Sequence, residues 1–158
     1  MFRPIRRKNK EISEEASKKL LIAERRGILA LNGDDGYPYA VPINYWYDEN
    51  ENKIYFHGSR AGYKAELLKR GSKICFTVYG NETVKDEAWA PYVQSVVIFG
   101  KCRVIDDTDR AIEFVKRFAM KYYPNADMVE KEIASSGKAV QMFEIEIEHL
   151  SGKEIQEK

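Results

Sequence analysis

Ile54-Tyr55-Phe56-His57-Gly58-Ser59-Arg60-Ala61-Gly62-Tyr63-Lys64 carries a strand into a helix through a turn of small residues. Lys53 to His57 is rich in β-favouring side chains, whereas Ala61 to Arg70 reads as a short helix that Gly71 can terminate. A polar turn at Asp48 to Asn52 precedes the strand, and Lys73 to Tyr79 resumes apolar–polar alternation after the helix. Helices set singly between strands, without a repeated βαβ rhythm, indicate an antiparallel barrel with peripheral helices.

The flanking sequence agrees. Ser13 to Arg26 reads as a helix, with Ser13 as N-cap, Glu14 and Glu15 in the first turn, Arg25 and Arg26 in the last, and Gly27 as the stop. Ala16, Leu20 and Ala23 mark its apolar stripe. Strand character begins at Ile28, turns at Asn32 to Gly36, and returns over Tyr37 to Tyr47 as a hairpin. Tyr39, Val41, Ile43, Tyr45 and Tyr47 share one face of that arm, and Ala40, Pro42, Asn44 and Trp46 the other. Further on, Gly80 to Pro91 reads as a loop and Tyr92 to Ile105 as a long strand. Asp107 to Tyr123 is a helix with Ile112, Val115, Phe118, Ala119 and Tyr122 at helical spacing and Pro124 beyond its end. A short helix over Ala126 to Ala134 and a closing strand over Ala139 to His149 complete the pattern. In that strand Val140, Met142, Glu144 and Glu146 oppose Gln141, Phe143, Ile145 and Ile147.

A length of 158 residues suits one domain over 1–158, with 1–12 as an N-terminal arm. With 44% hydrophobic and 32% charged residues, the chain falls outside the disordered, collagenous and membrane classes. A net charge of +1 gives no overall pull toward nucleic acid or an anionic membrane. The cluster Arg3, Arg6, Arg7, Lys8 and Lys10 reads as a solvated arm, because no aromatic residue beyond Phe2 is interleaved with it. No signal-peptide core or membrane span is evident, so a cytoplasmic protein is expected. Cys75 and Cys102 lie in apolar runs without CxxC spacing and read as reduced buried thiols, and two histidines do not make a metal site.

Chemistry concentrates at the opening stretch. Amides at the start of the helix, the Ser59 hydroxyl and the Lys64 ammonium together suit a phosphate. The helix dipole alone contributes only ~0.3–1 kcal/mol, so the groups must act together, and ordinary helix capping also satisfies the pattern. Pro42 lacks an N–H and marks an edge, a bulge or a place where backbone faces a ligand; Asn44 follows on the same face. A planar heterocycle with amide-like edges suits such a strand, as does a plain edge strand with a polar tip. His57 fits either a structural hydrogen bond or a proton donor, and His149 reads as surface. No nucleophile elbow supports hydrolysis. Long apolar strands with few helices to cover them favour dimerisation.

Four features resemble the pyridoxamine phosphate oxidase-like FMN-binding split barrels, and among them the 5-nitroimidazole resistance group. They are Arg6-Arg7, the strand Gly36-Tyr37-Pro38-Tyr39-Ala40-Val41-Pro42-Ile43-Asn44-Tyr45, the segment Tyr55-Phe56-His57-Gly58-Ser59 with Ala61-Gly62-Tyr63-Lys64, and Ser95-Val96-Val97 leading to Gly100. Ser151-Gly152-Lys153 resembles the family's end. The resemblance implies a homodimer with two FMN molecules at its interface. Val41, Pro42, Ile43 and Asn44 would border the flavin ring, Ser59 and Lys64 would hold the phosphate, and Gly62 and Tyr63 would also contact the cofactor. His57 would lie near the flavin, and Ser95 would contact the cofactor from the same or the partner subunit. The paired basic run and the C-terminal arginine motif of true pyridoxamine phosphate oxidases are missing, which speaks against vitamin B6 oxidation. The implied function is an FMN-dependent oxidoreductase acting on a small organic acceptor, a nitroaromatic among the candidates. The alternatives are a non-catalytic flavin or haem carrier or sensor, and a dimeric scaffold whose Gly-Ser junction is only a cap.

Overall fold

The computed structural model describes residues 1–123, 125–136 and 140–158. Among these residues seven strands form one antiparallel sheet in the order β2-β1-β5-β6-β7-β4-β3. They are β1 (Arg26–Asn32), β2 (Pro38–Asn44), β3 (Trp46–Asp48), β4 (Lys53–Gly58), β5 (Lys73–Thr83), β6 (Tyr92–Val104) and β7 (Gln141–Gln156). The helices are α1 (Glu14–Ala23), α2 (Tyr63–Arg70), α3 (Thr108–Tyr122) and α4 (Ala126–Ser136). This is the split β-barrel architecture expected from the sequence, and no helix among the described residues is long and apolar enough to cross a membrane.

The barrel closes through one chain segment. The expected arm from Tyr37 to Tyr47 is two strands that meet at Tyr45: β2 pairs with β1, then β3 pairs with β4. One bent segment thereby supplies both edges of the sheet, curling the sheet until they meet. Leu29, Phe56, Phe76, Ile98, Phe143 and Ile145 fill the interior. Each such side chain contributes ~1.5–3 kcal/mol by leaving water. Tyr45 is fully buried there, its ring edge-on to Phe76 at 5.1 Å and its hydroxyl donating to the Leu21 carbonyl at 2.7 Å.

Helix α1 closes one end of the barrel with Leu20 and Leu21. Its N-cap is as expected, Ser13 Oγ accepting from the Ala16 amide at 3.1 Å. Its end is not. The helix stops at Ala23, and Arg26 and Gly27 already belong to β1, because strand pairing with Asn44 and Ile43 outweighs continuing an exposed turn. Gly27 serves packing instead: a Cβ there would lie 2.2 Å from Phe76 Cζ. Ala23 is exposed, and Ser17 and Leu21 replace it on the buried stripe.

Helix α3 lies outside the barrel, with Phe114 and Phe118 over Tyr55 and Met142. Asp107 caps it by accepting from the Arg110 amide at 2.9 Å. Ile112, expected on its apolar stripe, is exposed. Strand β5 extends into the expected loop as far as Thr83, with a register shift after Gly80, and β7 runs past His149 to Gln156. Pro124 and Ala139, where the sequence placed a helix breaker and the start of β7, lie outside the described residues. The N-terminal arm is anchored rather than free, with Glu11 bridging Lys153 and Phe2 stacked on His149 at 4.8 Å and on Phe99 at 5.6 Å. Cys102 is buried and Cys75 half-buried, both as free thiols.

Candidate cofactor site at the barrel split

The split is positioned by strand register. Trp46 faces Tyr55, Tyr47 faces Ile54 and Asp48 faces Lys53. Continuing that register sets Asn44 opposite His57 and Pro42 opposite Ser59, but there β2 has left β4 for β1, pairing Asn44 with Arg26 and Pro42 with Ile28. A cleft therefore opens between two strands that remain close to each other. The edge of β2 turned away from β1 keeps backbone donors and acceptors without a strand partner.

The outward face of the split carries Pro42, Asn44 and His57, all exposed on their outer side. Val41 is half-buried and Ile43 buried toward the barrel, so these two offer mainly backbone to a ligand. The His57 ring meets Phe118 edge-on at 4.9 Å and lines a cavity of ≈ 110 Å³ with Val115, Phe118, Val129 and Met142. Desolvation by these apolar neighbours, with the Lys64 ammonium, lowers the His57 pKa below the ordinary imidazole value. At neutral pH the ring is uncharged, with one nitrogen donating and the other accepting.

At the end of β4 the chain enters α2 through Gly62, whose φ of +104° suits glycine. No side chain caps the first turn of α2, leaving its leading amides without a side-chain acceptor. Ser59 Oγ accepts from the Ala61 amide at 3.2 Å, which fixes the turn and leaves its own O–H to donate. Lys64 is half-buried, its ammonium 5.5 Å from the Phe56 ring centroid. The bare Cα of Gly58 admits it, since a Cβ would lie 3.0 Å from Lys64 Nζ. No carboxylate pairs with this ammonium among the described residues, and burial lowers its pKa. A partly desolvated cation without a counterion, beside uncapped amides, is suited to a phosphate. The donor set thus fits the phosphate of a flavin nucleotide.

Tyr63 is placed differently. Its hydroxyl accepts from the Asp34 amide at 2.9 Å, and its ring packs edge-on against Tyr39 at 4.8 Å, tying α2 to the β1–β2 turn. Ser95 is on β6, paired with Tyr79 and Lys153. It lies three strand spacings, roughly 14 Å, around the sheet from β2. Within one subunit it is not brought to the split.

Two clusters escaped the sequence reading. Glu144, assigned by alternation alone, is fully buried beneath α3, bonded to Arg103 Nε at 2.8 Å and Arg110 at 2.9 Å, with Lys53 at 3.4 Å. Its partners come from three separate elements, and no local pattern joins them. The second cluster is Lys121 and Tyr122, which hold the backbone of Tyr45. They reach Tyr45 from 76 and 77 residues further along the chain, so no local pattern marked the contact.

A barrel closed by one bent strand, with a phosphate-suited helix start at its split, defines a split-barrel protein of the cofactor-binding kind. The chain belongs to the pyridoxamine 5′-phosphate oxidase family, whose model matches residues 13–154. No curated protein matches it in sequence. Among solved structures it is similar to a candidate 5-nitroimidazole antibiotic resistance protein from Bacteroides thetaiotaomicron, with a TM-score of 0.77 and 18% identity over 92% of this chain and 87% of that one. It is also similar to a FAD-binding protein from Mesorhizobium loti (TM-score 0.64, 24% identity, 92% and 96% covered). The FAD and haem binding protein of Mycobacterium smegmatis gives a TM-score of 0.72 at 22% identity, with 94% and 74% covered. At these identities the structural matches concern the fold.

Proposed function

We propose that this protein is an FMN-binding oxidoreductase that works as a homodimer and passes reducing equivalents to a small organic acceptor, a nitroaromatic compound among the candidates. The observation that carries the reading is the half-buried Lys64 ammonium, without a carboxylate partner, beside the uncapped start of α2. Ser59, Lys64 and the amides at Gly62 and Tyr63 hold the phosphate. The free edge of Val41 to Asn44 borders the ring, and Asn44 hydrogen-bonds its rim. When bound, the flavin supplies hydride or electron transfer. The neutral His57 ring orients the acceptor by hydrogen bonding, while Phe118 and Met142 keep water from that side.

A second subunit suits the outer sheet face, where Ile28, Cys75, Thr77 and Val97 are half-buried and Phe99 is exposed. Ser95 is on that face and reaches a cofactor only across a subunit contact. The haem-binding relative favours one competing reading, a carrier or sensor without turnover.

The absorption spectrum of the purified protein, with mass identification of the released molecule, tests these readings. Flavin bands bleached by a reduced nicotinamide are expected. Flavin that resists reduction would assign a carrier, and a Soret band would assign haem. No uptake from excess FMN, or undiminished FMN retention in Lys64→Ala, would overturn the phosphate assignment.

A further inference from the structure

A hollow of ≈ 470 Å³ opens between α3, α4 and the chain that leads out of β6 and into β7. Ile105, Ile112, Val115, Ile133 and Val140 give it aliphatic walls, with no aromatic ring in its lining among the described residues. Ile112 belongs to the apolar stripe of α3 yet is 40% exposed, and it faces this hollow. The size falls within the ~300–1,000 Å³ usual for small-molecule sites.

The rim carries one charge of each sign. Arg60 reaches it from the turn after β4, and Asp106 from the turn before α3. Both are exposed, and neither side chain makes an ion pair or a hydrogen bond among the described residues. The two are not joined to each other either, so a guanidinium and a carboxylate share one opening with their bonding capacity unspent. Gln141 adds an acceptor beside them: its Nε2 donates to the carbonyls of Ile105 at 3.2 Å and Met142 at 3.3 Å, which leaves Oε1 for a ligand.

The hollow is separate from the split. Val115, Ile133 and Val140 form a common wall with the His57 cavity, but His57 does not line this hollow, and neither do Ser59, Gly62 or Lys64. Nor does any residue of the sheet face suited to a second subunit.

A ligand that uses all of these groups is apolar at one end and zwitterionic at the other. A simple carboxylate would pair with Arg60 and be repelled by Asp106, and an alkylamine would meet the converse. A nucleotide base would find no ring to stack on. A free α-amino acid with an aliphatic side chain offers a carboxylate to the guanidinium, an ammonium to Asp106 and Gln141, and methyl groups to the walls.

We propose that this hollow binds a free aliphatic α-amino acid of the leucine type, with Arg60 holding its carboxylate, Asp106 its ammonium and the aliphatic walls its side chain. The assignment goes beyond the flavin reading and does not require it.

Calorimetric titration of the full chain with L-leucine tests the assignment. Saturable binding is expected, weakened at least about tenfold, near 1.4 kcal/mol, in Arg60→Ala and in Asp106→Asn. Isovalerate, which lacks the ammonium, isoamylamine, which lacks the carboxylate, and glycine, which lacks the side chain, each bind more weakly than leucine by a similar factor. Thermal melting confirms that the variants remain folded. Protein loaded with FMN takes up leucine as the free protein does. Exclusion of leucine by FMN would place Arg60 in the cofactor's phosphate site and overturn the proposal. Absence of leucine binding, unchanged affinity in the two variants, or isovalerate binding as tightly as leucine overturns it as well.

Discussion

The Tyr122 hydroxyl takes the place of a strand partner for Tyr45. It accepts from the Tyr45 amide at 2.9 Å, and its hydrogen is shared between the carbonyls of Arg25 and Tyr45. Tyr45 sits where pairing changes from β1 to β4, so its backbone groups would otherwise be buried without a ladder bond. The bend that opens the split is therefore held from α3, 77 residues further along the chain.

Tyr122→Phe keeps the ring packed on Phe118 and removes those bonds. Leaving a buried amide and carbonyl short of partners costs about 1–3 kcal/mol. Urea unfolding is expected to show that loss, and the Tyr45 amide is expected to exchange with solvent faster than its neighbours in β1. Wild-type protection at Tyr45 would mean that its amide finds another acceptor once the Tyr122 hydroxyl is gone.

Lys121 makes the same clamp sensitive to pH. Burial, with the nearby Arg25 charge, lowers its pKa to about 8 from an ordinary value near 10.5. The folded state thus prefers the neutral amine, while the unfolded chain keeps its proton to higher pH. Between these values the unfolded state binds more protons, so stability rises with pH. Relative to Lys121→Met, the wild-type chain is expected to gain stability from about pH 8 upward, as measured by paired urea titrations. A constant difference across that window would place the ammonium in water.

The alternation of strands and single helices was legible because it is local, as in Ile54 to Lys64 and in the 13-residue β6. So was the Gly62–Lys64 helix start, where one short stretch holds every group. Tyr45 was not, because nothing in an unbroken β-favouring run says that its partner changes. Gly27 misled for a related reason: a glycine after two arginines suits a helix end, but the neighbour that requires it, Phe76, is 49 residues away and joins it only when the barrel closes. Glu144 follows the same rule, since its cations come from β4, β6 and α3.

Gly27→Ala places a methyl group against the Phe76 ring in the barrel core. Such overpacking typically costs ~1–3 kcal/mol. A lower melting temperature is expected, partly restored by Phe76→Leu in the double variant. Additive losses in the two variants would show that the ring moves aside without strain.

Glu144 stabilises the seat of α3 on the barrel. Burial pushes its carboxyl pKa up, but the Arg103 hydrogen bond and the charges of Lys53 and Arg103 outweigh this and hold it below the usual range. A depressed carboxylate contributes stability above its unfolded value and loses it as pH falls through the folded one. Glu144→Gln is expected to flatten that acid limb and to destabilise the protein at neutral pH. Removing one partner of a buried pair costs ~3–5 kcal/mol; the lower end applies here, because Arg103 and Arg110 retain contact with water. An unchanged acid unfolding midpoint would assign the acid sensitivity to other carboxylates.

His57 supplies the test of chemistry at the split. Its lowered pKa leaves it neutral at pH 7, which suits a hydrogen-bonding anchor for the acceptor better than a stored proton. His57→Ala is expected to retain flavin and lose turnover by about tenfold to a hundredfold, the effect of one or two lost hydrogen bonds. His57→Gln, which keeps a donor, recovers part of that loss. Turnover in the wild type stays level from pH 7 upward, since the ring does not change charge there. Turnover that falls as pH rises through neutrality would assign His57 to proton donation, and unaltered turnover in His57→Ala would remove it from the chemistry altogether.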